Sequence, residues 1–214
     1  VRAIMEGRWR AAGDEEKARI LEREKRAIMG YEEEILDYQK TISEILREEG
    51  LGAVPCPSWY RDAAEGVFAE LYGLAGLTPW VYDATPAYRD SSSAKLIGDR
   101  LYCLIDGKSV LQPQRISRDR RAQLRRALLL STPQERAEKG FHEIYLHNGI
   151  RVTIYAGERT KPEQDIMVFR KYLLKELTLE NLAELGTIPK EAIPLFRGMI
   201  RVGFNILIGG PVRS

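Results

Sequence analysis

Two short turns limit the folds that this chain can adopt more than any other feature of its sequence. Asp106-Gly107 lies between two apolar runs of strand length, and Asn148-Gly149 lies between two more. Asp-Gly and Asn-Gly supply the positive φ angles of the tight turns that join antiparallel strands. The sequence therefore predicts two β-hairpins, with strands over residues 101–105, 108–111, 141–146 and 150–155.

Helical patterns flank both hairpins. Residues 13–49 are rich in Glu, Lys and Arg and read as helix, with apolar residues at three- and four-residue spacing in the second half. That apolar stripe comprises Ile35, Tyr38, Ile42, Ile45 and Leu46. Ser58 and Ser117 are plausible N-caps of two further helices, and residues 132–135 form a capping box. With one more strand over 166–170, the pattern predicts an α+β domain, in which helices cover one side of an antiparallel sheet.

Composition excludes several classes of protein. The chain has 214 residues, 44% of them apolar, and a net charge of +2, which is typical of a soluble globular protein. No apolar run approaches the roughly 18 to 20 residues of a membrane span, and the N-terminus has no signal-peptide core, so a cytoplasmic location is expected. Cys56 and Cys103 lack metal-binding spacing, so we expect reduced structural cysteines and no metal site.

The last part of the chain has the sequence pattern of a nucleotide-binding domain. Thr178 and Pro189 are predicted to begin two helices, which end at Gly186 and Gly203. The apolar run 204–208 is then predicted to be a buried strand, and a turn with two glycines follows it. A helix, a buried strand and a glycine-rich turn form the entrance to a parallel α/β nucleotide-binding domain.

The glycine-rich turn matches part of a phosphate-binding loop. The Walker A pattern G-x-x-x-x-G-K-[ST] follows a buried strand, and residues 210–214 supply its first five positions. The candidate nucleotide-binding residues, which would offer backbone N–H groups to phosphate, are Gly209, Gly210, Pro211, Val212, Arg213 and Ser214. The chain ends before the lysine of the pattern, so on this hypothesis it is truncated and has little or no activity alone. The alternative is a glycine-rich strand end at an ordinary C-terminus.

The C-terminal segments resemble a known family. Residues 177–188, LTLENLAELGTI, lead through a helix into residues 201–210, RVGFNILIGG. This order is similar to that of the type II/IV secretion ATPases, most closely the CpaF-like ATPases of tight-adherence pili, over about the last forty residues. The resemblance implies a PAS-like α+β domain ahead of a RecA-like motor, and a hexamer at the cytoplasmic face of the inner membrane. It also implies that the full-length parent binds ATP and Mg²⁺, and that this fragment binds neither of them tightly. The implied partners are membrane platform proteins.

The resemblance also implies roles for two arginines. Residues 148–152 are similar to a family turn, and residues 169–171 stand where the family has a strand end of the form I-R-K. By this match Arg151 and Arg170 are catalytic, because they reach the terminal phosphates of the nucleotide. A guanidinium group offers two parallel donors to phosphate oxygens. Pro211 and Arg213 depart from the usual loop and put nucleotide affinity in question.

The predicted organisation has three parts: charged helices over 1–52, a sensor-like α+β domain over 53–172, and linker helices with the first motor strand over 173–214. An alternative function is a non-enzymatic protein-interaction module of a cytoplasmic assembly. A third is nucleic-acid binding through Arg115, Arg118, Arg120, Arg121, Arg125 and Arg126. A subunit interface or a solvated helix face explains these arginines at least as well, so nucleic acid is not expected as a partner.

Overall fold

The computed structural model describes residues 1–130, 140–161, 164–173 and 178–209, and of Leu130 it describes the backbone alone. The capping box at 132–135 lies outside these ranges. Contacts divide the chain into two compact units, Val1–Leu173 and Leu174–Ser214. The N-terminal helices belong to the same unit as the hairpins, and the domain boundaries near residues 52 and 172 stay predictions.

The first unit begins with the helices α1 (Arg2–Ala11), α2 (Asp14–Ile28) and α3 (Glu32–Glu48). The helix predicted over 13–49 is split at Gly30, whose φ of +92° is a conformation that only glycine adopts readily. The whole apolar stripe of α3 is buried, as its spacing predicted. Most of the stripe packs in one cluster with Ala27 of α2 and Phe68 of the next helix.

The next helix, α4 (Ala63–Leu71), begins later than predicted. Its N-cap is Asp62, whose carboxylate accepts a hydrogen bond from the Glu65 N–H at 2.8 Å. The Glu65 carboxylate accepts in turn from the Arg61 N–H at 2.5 Å. The prediction that Ser58 caps this helix is wrong, because Asp62 with Glu65 three residues later provides the paired donors and acceptors that Ser58 lacks.

Two short helices, α5 (Thr78–Val81) and α6 (Pro86–Arg89), precede the sheet, and α7 (Arg118–Leu130) lies between the hairpins. Ser117 caps α7 as predicted, because its hydroxyl accepts from the Arg120 N–H at 3.3 Å.

The described strands form one antiparallel sheet of six strands in the order β3-β2-β1-β6-β5-β4. Both predicted hairpins are confirmed, as β2–β3 and β4–β5, and so is the strand predicted over 166–170, which is β6. Strand β1 was not predicted, and it pairs with β6 at the centre of the sheet, where the two join the hairpins. The strand bounds are Ser93–Ile97, Arg100–Ile105, Lys108–Arg115, Phe141–Tyr145, Arg151–Tyr155 and Ile166–Arg170.

The two hairpin turns differ in length. Asp106 and Gly107 both have positive φ, +49° and +74°, as the two-residue turn requires. At the second hairpin the Leu146 N–H donates to the Ile150 carbonyl at 2.8 Å, so the turn holds three residues, with Gly149 at a φ of +79°. A three-residue loop with glycine in the left-handed region is the next most common solution.

The helices cover one face of the sheet, as predicted. On this face the core contains Trp80 and Leu77, which are 0% and 1% exposed, together with α7 residues such as Leu128. On the other face the register places Tyr102, Lys95, Val168 and Thr153 side by side across four strands. These residues alternate with buried ones along their strands and are only half-buried. We call this surface the open face.

The second unit contains α8 (Leu179–Glu184) and α9 (Ile193–Arg201). Thr178 caps α8 in a reciprocal pair with Asn181, as predicted for its start. The strand predicted over 204–208 is wrong: this run has no regular structure and is exposed, with Leu207 99% exposed. A strand requires a hydrogen-bonded neighbour, and no described strand pairs with this run.

Among the described residues, none of the helices combines the length and the apolar character needed to cross a membrane.

Candidate functional site

The two predicted catalytic arginines lie side by side on the sheet. Arg151 begins β5, Arg170 ends β6, and the register makes them direct cross-strand partners. Such partners have Cβ atoms about 5 Å apart and project from the same face. Two like charges in this position destabilise a sheet, and an anion bound between them would offset that repulsion.

Arg151 is partly buried and retains a donor that is not used. Its Nη1 lies 3.8 Å from the Glu143 carboxylate on β4, and 26% of its side chain is exposed. Its Nε is buried and has no hydrogen-bond partner among the described residues. Tyr145, the partner of Arg151 on β4, is 53% exposed. Arg151 therefore presents a partly exposed guanidinium group that lies beside the Glu143 carboxylate.

Arg170 is exposed, and the residue after it fixes the end of β6. The Lys171 ammonium group donates to the Trp80 carbonyl, to the Tyr88 carbonyl and to the Asp83 carboxylate. It lies 4.2 Å from the centroid of the Trp80 ring. Burial lowers the pKa of Lys171, and its hydrogen bond to Asp83 opposes that shift. Lys171 thus anchors the strand end that carries Arg170.

The predicted phosphate-binding residues remain untested by the described geometry. Gly209 is exposed and follows the irregular run 204–208. The other five, Gly210, Pro211, Val212, Arg213 and Ser214, lie outside the described residues.

Six arginines were considered for nucleic-acid binding; Arg115 ends β3, the other five lie on α7, and three of those five make internal contacts. Arg120 is buried and donates to the carbonyls of Ala69 and Gly73, at 3.2 and 2.7 Å. Arg121 is buried and donates to the Ile116 carbonyl at 2.9 Å. Arg125 forms an ion pair at 2.7 Å with Asp165, which precedes β6. Arg120 and Arg125 therefore link α7 to other parts of the unit.

Sequence reasoning missed two contributions to the site. Glu143 and Tyr145 lie at alternate positions of β4, on the same face as Arg151. Their places beside Arg151 depend on the β4–β5 register, which the sequence does not fix as long as the length of the turn is unknown. Lys171 carried no chemical signal, because its three acceptors come from residues more than 80 positions earlier in the chain.

Comparisons with known proteins find similarity to solved structures. No family model matches the chain, and no curated protein sequence matches it. A solved structure, that of the VirB11 ATPase from the Brucella suis type IV secretion system in complex with sulphate, is similar with a TM-score of 0.43 and 17% sequence identity. The match covers 60% of this chain and 43% of that one, so the chain matches less than half the length of that ATPase. A similarity of this size assigns neither a family nor an activity to the chain.

Proposed function

We propose that this chain is the N-terminal, nucleotide-gating region of a secretion or pilus-assembly ATPase, in which Arg151 and Arg170 neutralise the terminal phosphates of ATP. The observation that carries the proposal is their direct cross-strand pairing on the open face. Phosphoryl transfer is catalysed mainly by positioning and by neutralising charge on the moving group, which suits two adjacent guanidinium groups.

The surroundings of the pair support this role. Glu143 lies 3.8 Å from Arg151, and Lys171 fixes the strand end beside Arg170 through three acceptors. Each arginine therefore has a neighbour that restricts its position. The positive charge of the pair is only partly offset, because among the described residues Glu143 is the one carboxylate that forms an ion pair with it. Preorganised donors of this kind stabilise developing charge without reorganisation during the reaction.

The proposal extends to the whole motor. Gly209 to Ser214 would begin the phosphate-binding loop, ATP and Mg²⁺ would be the cofactors, and the working assembly would be a hexamer. The motor would work at the cytoplasmic face of the inner membrane, on platform proteins of a secretion or pilus system. The resemblance of residues 177–188 and 201–210 to the secretion ATPases supports this extension.

The test uses the full product of the natural gene. Its ATP hydrolysis and ATP affinity are measured for the wild type, Arg170→Ala, Arg151→Ala and Arg100→Ala. Arg100 is a matched control because it is an exposed arginine on the same face, on β2. We expect kcat to fall about 100-fold or more in the first two variants, while the Kd for ATP changes less than about tenfold.

Equal turnover in wild type and Arg170→Ala would remove the catalytic role of the pair. A gene product without Gly-Lys after the segment 210–214 would remove the motor, and would favour the alternative of a protein-interaction module.

A further inference from the structure

The open face carries an excess of positive charge, of which the proposed function uses only Arg151 and Arg170. Its strand positions hold five basic residues and one acidic residue, namely Lys95, Arg100, Arg115, Arg151, Arg170 and Glu143. The net charge of the whole chain is only +2, so positive charge is concentrated on this face. Lys95, Arg100 and Arg170 form no ion pair with any residue in the described ranges.

Aromatic rings lie between these cations. Tyr102 on β2 is the cross-strand partner of Lys95 on β1. Phe141 and Tyr155 are partners at the other side of the sheet, with ring centroids 5.4 Å apart, and Tyr145 is 53% exposed. The open face therefore combines charge that attracts an anionic chain with flat rings on which planar groups can stack.

We propose that the open face binds single-stranded nucleic acid, with Lys95 and Arg100 on the phosphates and Tyr102 stacked on a base. Unpaired bases stack on aromatic side chains, and basic residues that follow the backbone supply the sequence-independent part of the affinity. The bases of an undeformed duplex are stacked on each other, so a duplex would leave the rings without planar partners. An acidic peptide would satisfy the cations and leave the rings without planar partners.

The dimensions of the sheet set the size of the ligand. Five inter-strand spacings of about 4.8 Å give about 24 Å between the outer strands. At about 6 Å per nucleotide, this width accommodates roughly four nucleotides, the lower end of the site sizes of comparable sheet-based binders.

The proposal goes beyond the proposed function and places nucleic acid on the sheet rather than on α7. The expectation against nucleic acid was drawn from Arg115, which lies on the open face, and from five arginines of α7, three of which are engaged in internal contacts. The residues that carry the present proposal lie on β1 and β2.

The experiment measures binding of the 214-residue chain to a labelled oligothymidylate of about 12 nucleotides by fluorescence anisotropy, between about 50 and 200 mM NaCl. We expect Tyr102→Leu to weaken binding at least about fivefold, because one stacked base contributes about 1 kcal/mol or more. The double variant Lys95→Gln/Arg100→Gln should reduce the slope of log K against log salt by about 1.4, from two lost phosphate contacts at about 0.7 each.

The matched control is Lys40→Gln/Arg47→Gln, which removes the same two charges from exposed positions on α3. Its salt slope should equal that of the wild type, and circular dichroism should confirm that every variant is folded. The double variant Lys95→Gln/Arg100→Gln is informative even if Tyr102→Leu fails to fold, because Arg100 is exposed and Lys95 is only half-buried.

The proposal would be overturned by no binding at about 50 mM salt, by an equal loss in the control variant, or by polyglutamate competing as well as unlabelled oligothymidylate at the same charge concentration. Equal affinity for duplex and single strand would also overturn it, because stacking would then contribute nothing. These measurements are made without ATP, and the roles of Arg151 and Arg170 in hydrolysis are tested separately by their own variants.

Discussion

Arg120 allows a sharp test of the packing between α4 and α7. Its guanidinium Nη2 donates to the Ala69 carbonyl at 3.2 Å and to the Gly73 carbonyl at 2.7 Å, and Nη1 donates to Gln123 at 3.0 Å. Both carbonyls lie at the C-terminal end of α4, where backbone acceptors lack helical partners and the helix dipole favours a cation. Replacing Arg120 with methionine keeps an unbranched side chain and removes every donor.

The expected loss follows from these contacts. A hydrogen bond to a charged group contributes about 1.5 to 3 kcal/mol, so two bonds to carbonyls are worth roughly 3 to 6 kcal/mol. Burial of the guanidinium costs free energy, which also lowers the pKa of Arg120, and the variant recovers part of that cost. We therefore expect Arg120→Met to reduce the free energy of unfolding by about 2 to 4 kcal/mol.

The assay is urea denaturation followed by circular dichroism, with Arg126→Met as the control. Arg126 lies on the same helix and is exposed, so the same substitution there should change stability by less than about 0.5 kcal/mol. With a slope of about 2 kcal/mol per molar urea, the midpoint should fall by about 1 to 2 M for Arg120→Met. Equal midpoints for the two variants would refute the conclusion that the hydrogen bonds of Arg120 to the C-terminal end of α4 stabilise the fold.

Two further measurements test the core. Burial raises the pKa of the Cys103 thiol to about 12. Because the folded pKa lies above the unfolded value, the stabilisation is complete at neutral pH and is lost as the pH rises from about 9 towards 12. Between pH 8 and 10.5 wild type should therefore lose about 2 kcal/mol more than Cys103→Ala, and identical losses would contradict this account. Gly76→Ala should destabilise by about 1 to 3 kcal/mol, because the new Cβ would lie 2.7 Å from the Gln114 Cβ. Gly52→Ala, where a Cβ meets nothing within 4 Å, should be neutral in the same thermal unfolding assay, and equal melting temperatures would show that the core relaxes around the added methyl group.

Local signals in the sequence were sufficient for several elements. Asp106-Gly107 gave the first hairpin, because two successive positive φ angles leave little choice of residue. The stripe of α3 gave its buried face, because helical spacing alone decides which side chains share a side. Strand β1 was not predicted, although Gly98-Asp99 between β1 and β2 is also a hairpin signal. The sequence therefore contained the information for this strand.

Other features depended on contacts with distant residues, which the local sequence does not indicate. The run 204–208 has the apolar character of a buried strand, yet a strand forms only beside another strand, and the described residues provide none there. The arginines of α7 resemble a phosphate-binding row in sequence, and only the packing of α4 against α7 showed where Arg120 donates.

The sequence by itself determined the two hairpins, the amphipathic helices and the one-sided cover of the sheet, because turn chemistry and side-chain period act within a few residues. Only the tertiary structure decided that Arg151 meets Arg170, that Lys171 anchors the end of β6, and that the cations of five strands share one face. These features depend on strand order and register, which are set by contacts between residues far apart in the chain.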